Sequence, residues 1–290
     1  MLYVWARAVT FACINQGELF VSSWSRLRLG PILRFERSKR LYLRSFRGDP
    51  LSGRLRLLGL RATRMPIYDP PLRPIEAAEA RRSIYVFDRL GGEPSDPFHE
   101  LIPYRAIIVA KFHAMLSDRI RARLDSLEPP VIGMHVRRGD FTKTPWLTPI
   151  EHFCDRLRAL RQVAGCELPA TVFSDGSDEE LAPLLAMRGV QRGHERADVL
   201  ELIRLSRSRI IVPSRASTFG MLAGFLSEAA ILRDPEWNHG DSRPPEINAR
   251  RFEGAPNMDA ALWPALLVRN LQELADRERF AGKMLEANAH

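Results

Sequence analysis

Two adjacent arginines close an apolar run in His135-Val136-Arg137-Arg138-Gly139-Asp140. A guanidinium is always charged and presents a planar fork of donors that matches phosphate oxygens in pairs, so an arginine at a strand end suits a diphosphate. Side chains alternate along an extended segment, so one of Arg137 and Arg138 can face a crevice while the other pairs with the scaffold, with Asp140 as one partner. Gly139 lets the chain turn sharply after the strand. His135 is either a structural histidine or, beside such a clamp, a partner for ribose or base. Phe173-Ser174-Asp175-Gly176 offers a carboxylate at Asp175 that could accept from a ribose hydroxyl or a base N–H, or merely form an Asx turn or helix cap. Ser214 to Gly220, SRASTFG, sets hydroxyls at Ser214, Ser217 and Thr218 where a strand turns into a helix. Unpaired first-turn N–H groups and the positive end of the helix dipole point the same way there, which makes an anion site. Plain N-capping by Ser217 or Thr218 needs no ligand and stays open as the alternative.

The elements that must carry these residues are legible from about residue 130 onward. PVIGMHV reads as a short apolar strand, and Thr148-Pro149-Ile150-Glu151 as a capping box that opens a helix to about 164. ATVFS at 170–174 is a strand, and Ser177 with Glu180 caps a helix to about 188. A strand near 189–191, a helix near 196–207, a strand at 209–214, a helix at 217–227 and a strand at 229–233 complete the alternation. Strands alternating with helices imply parallel pairing in a doubly wound sheet, so the fold class is α/β. All three candidate stretches then fall at the carboxyl ends of strands, where open α/β sheets bind ligands. A last helical stretch covers 257–288. The first third is less regular: a helix over 2–15, a strand over 19–22, a turn-rich connection at 87–103, and helical spacing from Pro103 to about 127.

The 290 residues carry a net charge of +8 and three cysteines, Cys13, Cys154 and Cys166, with no C-x-x-C pair. That sparse, odd set argues against a disulfide scaffold or structural zinc, and fits a reducing, cytoplasmic setting. The opening MLYVWARAVTFACI is interrupted by Arg7 and is short for a bilayer span, so it reads as an amphipathic helix. The charge excess is local, since residues 22–64 hold 12 Arg and Lys against Glu36 and Asp49. Such a face suits anionic lipid headgroups, an acidic glycan or nucleic acid, or is ordinary solvated surface. It lies in no recognisable nucleic-acid module, and nucleic acid is not expected as the partner. P-loop, G-x-G-x-x-G, G-x-S-x-G and zinc spacings are absent, and so is any Asp-x-Asp, so the expected site holds no metal.

H-x-R-R-x-D, then F-S-D, then S-x-x-S-T-F, in this order and spacing over about 130–232, resembles the fucosyltransferase superfamily. The closest resemblance is to bacterial α-1,2-fucosyltransferases, with NodZ-type α-1,6-fucosyltransferases as cousins, and WARAVTFA resembles their first helix. The resemblance implies a GT-B architecture of two Rossmann-like domains, here 1–128 on the acceptor side, 129–256 for the nucleotide sugar, and a helical segment at 257–290. It implies a metal-independent, inverting transfer of fucose from GDP-fucose, with no cofactor, to an oligosaccharide or glycolipid acceptor in surface polysaccharide assembly. It places Arg137 on the β-phosphate with Arg138 in support, His135 and Asp175 near the nucleoside, and Ser217, Thr218 and Phe219 along the diphosphate, with Ser214 beside them. Peripheral contact with the anionic inner face of the membrane would run through 22–64.

Three departures are expected to matter. Relatives open with a strand and a GLGNQ-like loop, whereas this chain begins inside the following helix, so the N-terminal domain is expected to lack its first strand or to have its true start upstream. Many relatives carry a second acid where this chain has Gly176, which leaves room for another nucleotide sugar as donor. No carboxylate stands between Phe141 and Trp146, which leaves Asp140 as the nearest candidate base. A non-catalytic protein holding anionic glycan, lipid or nucleic acid on 22–64 is the reading from another class.

Overall fold

In a computed structural model of the chain, residues 2–21, 45–47, 51–89, 98–193, 198–237 and 240–288 are described, apart from the side chains of residue 140 and of 281–288. Most of the basic stretch, 22–44 and 48–50, lies outside the described residues. The chain forms two compact units, Met1–Asp125 and Ser126–His290.

The first unit is built on helix α1 (Leu2–Ile14), which buries Trp5, Ala6, Val9 and Phe11. Helix α2 (Leu51–Thr63) leads into strand β1 (Met65–Tyr68), helix α3 (Ala77–Arg82) and strand β2 (Ser83–Val86). The two strands pair in parallel, Met65 beside Ser83. This small βαβ unit replaces the irregularity read from the sequence. Its strands are four residues long, β1 is largely exposed, and Pro66 is tolerated only because β1 is an edge. Residues 19–21 form no strand, and Ser22 lies outside the described residues. The helix expected to run unbroken toward 127 is split into α4 (Arg105–Met115) and α5 (Asp118–Asp125). Leu116 turns extended at ψ 139° and bridges antiparallel to Phe46, while Ser117 N–H donates to the Ser45 carbonyl at 3.0 Å. Tertiary pairing thus takes the backbone groups that a continuous helix would have used.

The second unit follows the alternation expected from the sequence. Its strands are β3 (Ile132–Val136), β4 (Ala170–Ser174), β5 (Val190–Arg192), β6 (Ile210–Pro213), β7 (Ala230–Leu232) and β8 (Glu253–Gly254). All neighbours pair in parallel, in the order β5-β4-β3-β6-β7-β8. The chain leaves β3 toward one edge, then returns to β3's other side with β6. This is the doubly wound order with its switch point between β3 and β6. Helices α6 (Ile150–Ala164), α7 (Asp178–Leu185) and the long α11 (Ala265–Asn288) cover one face, where Leu157, Leu184 and Leu271 join Ile132, Met134 and Val212 in one core cluster. The alternate residues of β3 face helices α8 (Asp198–Ser206) and α9 (Thr218–Leu226). Gly133 is required there, since a Cβ would stand 2.3 Å from Ser208 Oγ. A short helix, α10 (Pro245–Asn248), precedes β8; neither was expected, being four and two residues long.

Of the two expected capping boxes, one forms. Ser177 accepts from Glu180 N–H, and Glu180 in turn accepts from Ser177 N–H. At the other, the N-cap is Pro149 and no side chain caps the helix. The Thr148 hydroxyl instead accepts from the backbone N–H of Arg215 at 2.9 Å, tying the loop after β3 to the loop after β6.

Candidate functional site

The switch point is held open by one hydroxyl. Ser214, 4% exposed, donates from Oγ to the His135 carbonyl at 2.9 Å and accepts the Arg137 N–H at 2.8 Å. Ser214 N–H donates to the same carbonyl at 2.9 Å. The hydroxyl thus ties together two backbone groups at the end of β3 where β3 and β6 part.

The two arginines then diverge as alternation requires. Arg138 turns inward, 6% exposed, and donates from Nη1 to the Thr148 carbonyl at 3.0 Å. Its N–H donates to Asp175 Oδ1 at 2.8 Å. Arg137 stays partly exposed, and its Nη1 meets Asp175 Oδ2 at 2.6 Å, with the guanidinium 5.5 Å from the Phe141 ring centre. One carboxylate, at the end of β4, therefore fixes both arginines at the end of β3. Both Asp175 oxygens meet these arginines, one the Arg137 guanidinium and one the Arg138 N–H.

Two glycines make this possible. Gly139 takes φ +37°, and a Cβ there would lie 2.5 Å from Asp175 Oδ2. At Gly176 a Cβ would meet Arg138 Cγ at 2.7 Å. In this structure the stem of Arg138 occupies the space a side chain at 176 would enter. The Asp140 side chain lies outside the described residues, and the partners seen for Arg138 are Thr148 and Asp175.

His135 is buried beneath the crevice and stacks on Phe219, ring centres 4.9 Å apart at 26°. Burial, helped by the charge of Arg137, pushes its imidazole down to about 3. It is therefore neutral at physiological pH and cannot hold a proton for catalysis there. Its Nδ1 has no hydrogen-bond partner among the described residues. Gly220 allows the close approach of α9, since a Cβ there would stand 3.2 Å from that Nδ1 and 2.8 Å from Pro213 Cβ. The approach carries the first turn of α9 to the strand ends.

At that turn Ser217, 3% exposed, is the N-cap and accepts from Gly220 N–H at a long 3.4 Å. Thr218, the first helical residue, is exposed, and Phe219 is half-buried. Ala216, just before the cap, has φ +47°, a conformation that non-glycine residues adopt only at a cost. The structure thus brings Arg137, Arg138, Asp175, His135, Phe219 and the α9 N-terminus together around one switch point. The Ser217 hydroxyl caps the helix through a long bond from the Gly220 N–H.

Residues not singled out from the sequence complete the rim. Arg215 Nε donates to Asp234 Oδ2 at 2.6 Å, and its Nη1 meets Glu236 Oε2 at 2.6 Å. His152 Nδ1 lies 3.8 Å from the same Asp234 oxygen, and burial lowers its affinity for a proton, reinforced by Arg156 and Arg215 and opposed by Asp234. Asp234 follows β7, so the rule that drew attention to the ends of β3, β4 and β6 also reaches it.

No group of three or more His, Cys, Asp or Glu side chains that could hold a metal ion occurs among the described residues. No helix among them is long and apolar enough to cross a membrane.

No family model matches the sequence, and no curated protein matches it. Among solved structures, a NodZ α-1,6-fucosyltransferase soaked with GDP-fucose is 18% identical over 47% of this chain and 51% of its own, with a TM-score of 0.34. The fucosyltransferase NodZ from Bradyrhizobium is 20% identical over 44% and 48%, with a TM-score of 0.32. POFUT1 in complex with GDP is 13% identical over 76% and 89%, with a TM-score of 0.37. The chain spans about half the length of the two NodZ structures it matches. Likeness at this level says nothing of substrate or reaction.

Proposed function

We propose that this chain is an inverting, metal-independent glycosyltransferase that moves fucose from GDP-fucose to a hydroxyl of an oligosaccharide or glycolipid acceptor, acting on the cytoplasmic side in surface polysaccharide assembly. The observation that carries the reading is the Asp175-fixed guanidinium of Arg137 at the switch point, beside the N-terminus of α9. Charge grows on the diphosphate as its bond to C1 breaks, and a fixed guanidinium and a helix N-terminus stabilise such charge without reorganising. The acceptor oxygen forms the new bond to C1, GDP departs with the bonding electron pair, and the hydroxyl proton passes to a base, for which Asp140 is the candidate. Guanosine and fucose are assigned on the order of the three motifs. Another nucleotide sugar is the second reading, favoured by Gly176, which stands where many members of the resembled family carry a second acid.

Calorimetric titration in buffer containing EDTA tests this. GDP is expected to bind, and to bind more tightly than ADP, CDP or UDP. Preference for UDP would move the donor to another sugar nucleotide, a requirement for Mn²⁺ or Mg²⁺ would replace the arginine clamp by a metal, and no binding by any would end the reading.

A second measurement separates capping from ligand binding at Ser217 and Thr218. Replacing both with alanine should lower stability by roughly 0.5–2 kcal/mol through loss of the cap. If the hydroxyls also donate to a charged oxygen, GDP affinity should fall by about 1.5–3 kcal/mol. Both losses are expected; a variant that melts earlier but binds GDP like the parent would leave α9 with a cap and no ligand role.

A further inference from the structure

Helix α2 presents its apolar side the wrong way round for a core helix. Leu57, 8% exposed, is its one buried residue, with Gly53 and Leu60 half-buried beside it. Leu51, Leu55 and Leu58 are 72%, 60% and 62% exposed. At about 100° per residue, Leu51, Leu55, Leu58 and Ala62 fall in one stripe roughly 60° wide, on the side of the helix opposite Gly53, Leu57 and Leu60. Met65, 73% exposed, stands two residues beyond the last helical residue, Thr63.

The polar residues of α2 have one sign. It holds Arg54, Arg56 and Arg61 and no acid. Arg56 pairs with Glu18 at 2.6 Å on the far flank. Arg54 and Arg61 are exposed and lie on the same flank of the leucine stripe, seven residues and so about two turns apart. Scattered exposed leucines need no explanation, but three on one face, bordered by arginines in an acid-free helix, need a partner that is both apolar and negatively charged.

We propose that α2 is an interfacial anchor that lies on an anionic lipid bilayer, with Leu51, Leu55 and Leu58 inserted at the acyl boundary and Arg54 and Arg61 against the phosphates. A helix of this kind binds in the interface plane, apolar side down, and gains from both buried apolar area and attraction to anionic headgroups. A lone apolar face would suit a second copy of the chain equally well. The arginine flank decides against that, since two copies would bring like charges together. The helix and the nucleotide crevice belong to different units, so neither reading depends on the other.

The test is co-sedimentation of the full chain with phosphatidylcholine vesicles with and without phosphatidylglycerol, at roughly 0.15 M salt so that diffuse attraction is screened. Binding is expected only to the phosphatidylglycerol vesicles. Arg54→Gln/Arg61→Gln should weaken it roughly 30-fold, and Leu55→Gln/Leu58→Gln about tenfold or more. All four positions are exposed, so both variants should keep the parent's melting curve and GDP titration, which guards against misreading an unfolded sample. No sedimentation at this salt, equal binding to uncharged vesicles, or leucine variants that bind like the parent would overturn the anchor. So would light scattering that shows a dimer which the leucine variants dissociate, because the stripe would then be covered by a second copy.

Discussion

Replacing Arg137 with alanine is expected to lower sugar transfer by about 10²–10³, the usual loss when one preorganised donor to developing charge is removed. The structure sharpens what else the substitution does. Asp175 would lose the guanidinium that meets its Oδ2 at 2.6 Å and would keep only the Arg138 N–H on Oδ1. A carboxylate without its counter-charge would then face the crevice and repel an incoming diphosphate, so nucleotide affinity should fall together with rate. Arg137→Lys keeps a charge but not the fork, and should recover only part of both. Single-turnover rates and GDP titrations of the two variants measure these effects separately. An Arg137→Ala enzyme within threefold of the parent, about 0.65 kcal/mol, would remove the assignment.

The largest stability effect is expected at Glu253, on the edge strand β8. Its carboxylate is fully buried between Arg233, whose Nη2 donates to Oε1, and Arg243, whose Nε donates to Oε2 at 3.1 Å. Ser242 N–H adds a bond to Oε1 at 3.0 Å. Glu253→Ala leaves two buried guanidinium groups without their anion, which costs about 3–5 kcal/mol in comparable sites. A typical domain has only about 5–15 kcal/mol to lose. The same cluster sets an acid limit. Burial alone would raise the Glu253 carboxyl, but Arg233, Arg243 and Ser242 together hold it below the usual 4.5. A depressed carboxyl contributes stability above its unfolded value, and that contribution fades as pH falls from about 4.5 through the lower folded value. Urea melts from neutral pH down to about pH 3 should show this loss in the parent, and a shallower one in Glu253→Gln. Identical slopes would mean that other carboxylates govern the acid limit.

The centre of the second unit's sheet was legible because β3, β4, β6 and β7 are buried on both faces and read as short continuous apolar runs between helices. The βαβ of the first unit was not, because a strand such as Met65–Tyr68 is short, exposed and contains a proline. Capping signatures show what local reading lacks. Ser177 and Glu180 cap reciprocally, whereas the Thr148 hydroxyl, in the same sequence pattern, is claimed by the N–H of Arg215 sixty-seven residues away. The place of the two arginines at a strand end could be read from the sequence, but the residue that holds them could not. Asp175 appeared able to meet a nucleoside, and only the pairing of β3 with β4 places it under both arginines. Gly176 read as a missing acid, yet the residue that fills its space is Arg138, thirty-eight positions earlier.

The contact between Asp175 and Arg137 has a thermodynamic corollary. A surface arginine samples many rotamers, and freezing them costs about 2 kcal/mol at the moment a ligand is gripped. Here the carboxylate already confines the guanidinium, so most of that entropy is given up when the chain folds and little remains to be lost on association. The crevice would then meet its anion as a rigid template, and its selectivity would rest on geometry rather than on the adaptability of a free side chain.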